Sequence, residues 1–243
     1  MRLTCFGKYG PYPKPNCACS CYMLTYKKSS VLIDMGCGAL SRVLSKVRIE
    51  DISALVLSHL HSDHMSDALT LRYALDAAKK LGKRDMPLPV YMPEEPAAEA
   101  GLISSGKMID AAYIRDGSSL DICGIEAKFA LMPHAVPSYA MSLSAEGKTF
   151  IYSGDTAYNE KLIGFASGAD LLLMEAAFLS DNKPGSAVHV SAAQAAAIGR
   201  EADVKRLLLT HIFPEYDEND ILREAREQFP GADIIEELST YEV

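Results

Sequence analysis

The chain has 243 residues, 49% hydrophobic and 23% charged, which excludes disordered, collagen-like and disulfide-stapled classes. Its 24 Lys and Arg against 32 Asp and Glu leave a formal charge of −8, so no global field draws it to nucleic acid. No apolar run approaches the ~18–20 residues that cross a bilayer, and the start of the chain turns polar before a signal-peptide core could form; the expectation is a cytoplasmic protein with one domain over residues 1–243 and no membrane partner.

In chain order, Arg2–Phe6, Cys21–Tyr26 and Ser30–Asp34 read as strands, the last two joined by a hairpin at Lys27-Lys28-Ser29. The six cysteines are expected as free thiols, with Cys17, Cys19 and Cys21 as small buried side chains on one strand face instead of a soft-metal site. Ala39–Val47 reads as helical, Ala54–Leu57 as a strand buried on both faces, and Met65–Leu81 as a helix. Then come a strand at Pro87–Met92, a helix at Glu94–Gly101, and short strands at Ile109–Ile114, Ser119–Ile122, Ile125–Leu131, Ser138–Ala145 and Thr149–Tyr152. From Asp155 helices and strands alternate: helices at Asn159–Ala166, Ser191–Glu201 and Glu218–Phe229, strands at Ala169–Met174, Val204–Thr210 and Ala232–Ile235. A chain that opens on hairpins and closes on β-α-β units fits two packed sheets with helices on their outer faces.

The most informative stretch is His59-Leu60-His61-Ser62-Asp63-His64, directly after the buried strand and before a helix. Four potential metal ligands fall within six residues, and clustered imidazoles serve packing poorly because they repel once protonated. If the first part is extended, His59 and His61 share a side, and the turn into the helix brings Asp63 and His64 to a second position. The remaining histidines, His134, His189 and His211, each follow an apolar run, and Tyr152-Ser153-Gly154-Asp155 is a further strand end, where sites collect in open α/β folds. Asp155 could bridge two cations through its two oxygens.

The ordered set of Asp34 in Leu32-Ile33-Asp34-Met35-Gly36, the H-x-H-x-D-H motif, His134, Asp155 and His211 resembles the metallo-β-lactamase superfamily. The resemblance implies an α/β fold, the four-layer αββα sandwich, with a dinuclear metal centre at one sheet edge. It implies that His59, His61 and His134 hold one metal, that Asp63, His64 and His211 hold the other, that Asp155 bridges them, and that Asp34 orients a ligand histidine. Two zinc ions are the expected cofactors, with manganese as the alternative for mixed carboxylate and imidazole ligands.

Glu175 in Met174-Glu175-Ala176-Ala177 and His189 in His189-Val190-Ser191-Ala192-Ala193-Gln194-Ala195 resemble segments of the tRNase Z branch, which cleaves phosphodiesters. Met174, Val190 and Ser191 depart from that pattern, and only 20 residues lie between His134 and Asp155, where long-armed tRNase Z proteins insert a tRNA-gripping arm. The resemblance therefore points to a hydrolase of a small or cyclic phosphodiester, using a metal-bridging hydroxide, with Asp63, Glu175 and His189 as catalytic residues. Left open are tRNA 3′ processing, thioester or lactone hydrolysis, and a non-hydrolytic metal or redox protein; so is homodimer formation.

Overall fold

The computed structural model describes residues 1–243. One sheet contains β1 (Arg2–Gly7), β2 (Cys21–Tyr26), β3 (Ser29–Ile33), β4 (Ala54–Val56), β5 (Leu88–Met92), β6 (Ile109–Tyr113) and β14 (Thr240–Glu242), in the order β14-β1-β2-β3-β4-β5-β6. The other contains β7 (Ser119–Ile122), β8 (Ile125–Met132), β9 (Ser138–Ala145), β10 (Lys148–Tyr152), β11 (Leu171–Glu175), β12 (Leu207–Thr210) and β13 (Asp233–Ile234), in the order β13-β12-β11-β10-β9-β8-β7. Helices α1 (Ala39–Val43), α2 (Ser62–Lys80) and α3 (Ala97–Ser104) fall in the first half, α4 (Glu160–Phe165), α5 (Ala192–Glu201) and α6 (Glu218–Gln228) in the second.

Three apolar layers bind these elements into the αββα sandwich. Between the sheets, Leu3, Tyr22, Leu24 and Ile33 meet Phe129, Met141, Phe150, Leu173 and Leu208. The opposite faces carry the helices: Leu32, Leu55 and Val90 pack on Met65, Leu71 and Leu75 of α2, while Leu172, Leu207 and Leu209 pack on Ala195, Ile198 and Ile221 of α5 and α6. The period-2 pleat explains the division, since Val31 and Ile33 of β3 point to the inner layer and Leu32 between them to the outer one. Both sheets change from antiparallel to parallel pairing partway across, at β3/β4 and β10/β11. The C-terminal ends of the strands beside those changes form one edge of the sandwich.

Several boundaries differ from the sequence reading. Helix α2 begins at Ser62, three residues before Met65, because the polar Ser62-Asp63-His64 turn carries no apolar periodicity to reveal it. Helix α1 stops at Val43 and is followed by tighter turns, with Ser45 N donating to Arg42 O and Lys46 N to Val43 O. Helix α3 runs Ala97–Ser104 and not Glu94–Gly101, since Glu95, preceding Pro96, is disfavoured from helical backbone. Strand β14 was not anticipated: Thr-Tyr-Glu has no apolar alternation and exists by pairing with the edge of β1. The three-cysteine run is not one strand face, for Cys17 and Cys19 lie in the loop before β2 and only Cys21 is in the strand. Pro11, Pro13 and Pro15 deprive that loop of ladder donors.

Asp170 joins the starts of three neighbouring strands. Its Oδ1 accepts from Lys148 Nζ at 3.0 Å and Lys205 Nζ at 2.9 Å, and its Oδ2 from Thr149 N at 2.9 Å. Burial raises its pKa, but Lys205, Thr149 and Lys148 outweigh that and hold it at about 2, below the ordinary 3.8. A depressed carboxyl contributes stability above its unfolded pKa that is lost as pH falls toward the folded value. Asp170→Asn should therefore destabilise the protein by about 1 kcal/mol at neutral pH, a small figure because both ammonium ends are solvent-screened. Urea unfolding from pH 7 to pH 3 should show this deficit constant until about pH 4 and shrinking below it; a deficit independent of pH would show that the ion pairs contribute nothing.

Candidate metal centre

Every histidine and acid singled out by the motif reading reaches the same sheet edge. Asp34 follows β3, His59 and His61 follow β4, Asp63 and His64 open α2, His134 follows β8, Asp155 follows β10, Glu175 ends β11, and His211 follows β12. Ligand atoms of His59, His61, His134 and Asp155 all lie within 4.8 Å of one another, and so do those of Asp63, His64 and His211. Asp155 sits between the groups: its Oδ2 is 3.5 Å from His59 Nε2 and 3.3 Å from His211 Nε2, and its Oδ1 is 3.4 Å from His64 Nε2.

The donor atoms fit a divalent cation on geometry and on hydrogen bonding. Ligands at ~2.0–2.1 Å from a tetrahedral zinc stand about 3.3 Å apart. His134 Nε2 and His61 Nδ1 are 3.1 Å apart, and His211 Nε2 and Asp63 Oδ2 are also 3.1 Å apart. His59 Nε2, His64 Nε2 and Asp155 Oδ1 are buried with no hydrogen-bond partner in the chain, a costly arrangement for polar atoms unless a cation engages them.

The opposite edges of three rings are fixed. His64 Nδ1 donates to Asp34 Oδ2 at 2.7 Å, and His134 Nδ1 donates to the Val188 carbonyl at 3.1 Å. Ser58 Oγ donates to Asp34 Oδ2 at 2.8 Å, so it can only accept from His59 Nδ1, 3.0 Å away. Each pairing puts the ring proton on Nδ1 and turns the lone pair of Nε2 toward the cluster. Asp34 also accepts from Ser58 N at 2.7 Å and from Tyr152 Oη at 2.8 Å. Sequence reasoning gave Ser58 and Tyr152 no role, although Ser58 stands beside His59 and Tyr152 opens the strand-end run that leads to Asp155; Tyr152 comes from the other sheet.

Backbone geometry is unusual at two of these positions, Asp34 with φ 54° and His211 with φ 53°. Left-handed backbone is uncommon for residues with a Cβ, and it is held here by the surrounding packing. Gly10 covers the His211 side of the centre, and a Cβ there would lie 2.0 Å from His211 Nε2, so only glycine fits.

Burial and neighbouring charge set the protonation of the cluster. Burial drives the His59 imidazole well down, helped by His64, and drives His134 down to about 4. Burial also lowers His64, yet the carboxylates of Asp155, Asp63 and Asp34 outweigh it and hold that imidazole well above its ordinary range. Beside the cluster, burial lowers His189 but Glu175 more than compensates and lifts it to about 9. His189 Nδ1 is 3.1 Å from Glu175 Oε1, and its ring stacks on His211 with centroids 5.3 Å apart. Glu175 is fully buried and accepts also from Thr156 N at 2.6 Å and Val190 N at 3.3 Å. A cavity of about 480 Å³ opens onto His61, Asp63, Asp155, His189 and His211, with Pro11, Ala177, Phe178 and Phe213 forming an apolar side. These aromatics carried no sequence signal, because isolated phenylalanines after strands read as core.

Asp34 makes four hydrogen bonds, so its removal tests metal binding and folding together. Asp34→Asn, which keeps the shape but turns one acceptor into a donor, should weaken metal affinity by about 10–100-fold and cost about 1–3 kcal/mol of stability. Competition with a chromogenic chelator at a temperature where the variant remains folded measures the first effect; unaltered metal affinity would leave Asp34 a purely structural carboxylate.

Comparison with known proteins agrees with this geometry. The family model described as a beta-lactamase superfamily domain matches residues 29–212. The probable metallo-hydrolase YhfI of Bacillus subtilis is 32% identical over 232 residues, which are 95% of this chain and 95% of YhfI. The YhfI crystal structure superposes with a TM-score of 0.95 at 30% identity, covering 100% of this chain and 99% of that one. A ribonuclease Z of Natronomonas pharaonis is 27% identical, covering 98% of this chain and 96% of its own. The short form of human tRNase Z shares the fold, with a TM-score of 0.78 at 19% identity over 100% of this chain and 99% of that one. The match over most of the sequence and the likeness to YhfI from end to end therefore settle the lineage: the chain belongs to the metallo-β-lactamase superfamily, near its tRNase Z branch, and is a metallo-hydrolase.

Proposed function

We propose that the protein is a dinuclear metal-dependent phosphodiesterase whose substrate is a small or cyclic phosphodiester. The observation that carries this reading is the pairing of buried Glu175 with half-buried His189 beside the metal cluster, which places an imidazole at the cavity wall with Nδ1 held and Nε2 free of partners in the chain. In this reading His59, His61 and His134 would hold one zinc ion and Asp63, His64 and His211 the other, with Asp155 available to both, and manganese is the alternative metal. Such ions, when bound, would polarise phosphoryl oxygens and lower the pKa of a water toward ~7.

The chain's own residues supply proton transfer and orientation. Asp63 Oδ2 faces His211, so Oδ1 is the oxygen available to accept the proton of the attacking water. Imidazole Nε2 of His189 donates to the departing oxygen or stabilises its charge, while Glu175 fixes the ring and favours its protonated form. Through Thr156 N, Glu175 also braces the backbone immediately after Asp155, so the proton donor and the shared carboxylate are positioned by one buried group. Phe178, Phe213 and Pro11 exclude water from the other side of the substrate.

Substrate size follows from the segment between His134 and Asp155. It is consumed by β9 and β10 and their short turn, leaving no length for an arm that grips a large RNA. Relatives named ribonuclease Z support phosphodiesters as the reacting class; the compact hairpin and the 480 Å³ cavity support the smaller member of that class.

Chelation should abolish hydrolysis of bis(p-nitrophenyl) phosphate, with zinc or manganese restoring it. His189→Ala should retain its metals yet lower kcat by about 10²–10⁴-fold on a cyclic diester, whose alkoxide leaving group needs a proton. The loss should be smaller with p-nitrophenolate, which leaves unprotonated. Equal losses on both would assign His189 to charge stabilisation; full activity of the metal-loaded variant on both would return the protein to thioester or lactone hydrolysis. Trimming of a precursor tRNA at a rate matching the small diesters would overturn the size argument.

A further inference from the structure

The segment between β11 and α5 turns back on itself and carries two groups of the site. Phe178 N donates to Val190 O at 3.3 Å and Ala192 N to Phe178 O at 2.9 Å, which closes residues 179–190 into a loop. On its returning side, the Val188 carbonyl accepts from His134 Nδ1 at 3.1 Å, and the next residue is His189. The far side of the loop, including Asp181, Asn182, Gly185 and Ser186, is exposed. Whatever fixes the base of this loop therefore fixes both rings.

Glu224, on α6 and outside the cavity, grips that base from both sides. Its Oε2 accepts from Ser180 N at 2.9 Å, and its Oε1 accepts from Ser180 Oγ at 2.8 Å and from Ala193 N at 2.9 Å. Ser180 Oγ is also 3.0 Å from Ser191 Oγ, which caps α5 by accepting from Gln194 N. The opening amides of α5 are thus all accounted for: Ala192 by Phe178 O, Ala193 by Glu224, Gln194 by Ser191. A carboxylate at this helix N-terminus is favoured by the helix dipole, and its hydrogen bonds are charge-assisted. Without it, Ser180 N and Ala193 N lose their acceptor and one wall of the loop base is released.

We propose that Glu224 is a positioning residue, a clamp on the 179–190 loop that sets His189 and, through the Val188 carbonyl, the His134 ring. The part concerning His189 rests on the phosphodiesterase reading; the part concerning His134 and the loop does not.

The test uses the metal-loaded protein and three variants: Glu224→Ala, Glu224→Gln, which keeps one acceptor oxygen, and Glu227→Ala, an exposed control on the same helix that makes no bond to the loop. Amide exchange at Ser180 and Ala193 should quicken by about 10–100-fold in Glu224→Ala, zinc should dissociate about 10-fold faster because His134 loses its oriented acceptor, and kcat on bis(p-nitrophenyl) phosphate should fall by about 10-fold. Glu224→Gln should lie between, and Glu227→Ala should match the unaltered protein. Unchanged exchange in residues 178–193 overturns the clamp. So does exchange that rises uniformly along α6 with normal zinc dissociation and normal kcat per folded molecule, the pattern of a merely structural residue. Exchange and zinc release need no substrate, so an unaltered protein inactive on the diester would remove the phosphodiesterase reading while these two measurements still decide the clamp.

Discussion

A single buried carboxylate joins the two sheets at the point where the chemistry gathers. Asp34 lies at the end of β3, accepts from Ser58 after β4 and from His64 in α2, and reaches Tyr152 at the end of β10 in the opposite sheet. It is fully buried, and four donors satisfy its two oxygens. The same bonds turn His64 and, through Ser58, His59 so that Nε2 of each faces the cluster. Sheet packing and ligand orientation are therefore one arrangement, and moving either sheet would misdirect both rings.

A second buried carboxylate repeats the device on the other side. Glu175 holds His189 and braces the backbone next to Asp155, much as Asp34 holds His64 and braces Ser58. The pair differ in what they hold: Asp34 holds His64, whose Nε2 is buried with no partner in the chain, and Glu175 holds His189, whose ring lines the cavity beside Asp155 and His211. Gly10 and the 179–190 loop close the remaining sides, one by backbone that approaches His211 where no Cβ could, the other through the Val188 carbonyl on His134.

The cavity adjoins these parts. Its polar side is the cluster itself and its apolar side is Phe178, Phe213 and Pro11, so a bound anion would meet cations and donors while the rest of the molecule displaced water. The hairpin of β9 and β10 passes from His134 to Asp155 with no excursion, which keeps the opening free of a long arm.

The sequence by itself determined which residues could do chemistry, because ligand identity is local. The spacing of His59, His61, Asp63 and His64 has few uses besides metal binding, and the apolar runs before His134 and His211 marked strand ends without any knowledge of pairing. Periodicity also located most strands and helices, failing where polar residues with other duties opened α2 and where β14 depended on its neighbour. Only the tertiary structure decided which nitrogen of each ring faces the cluster, since that depends on partners such as Tyr152, Ser58 and Val188 that are distant or chemically ordinary in sequence. It likewise decided the roles of Gly10 and Glu224, because a close backbone approach and a carboxylate reaching across from another helix are properties of packing, which leaves no pattern along the chain.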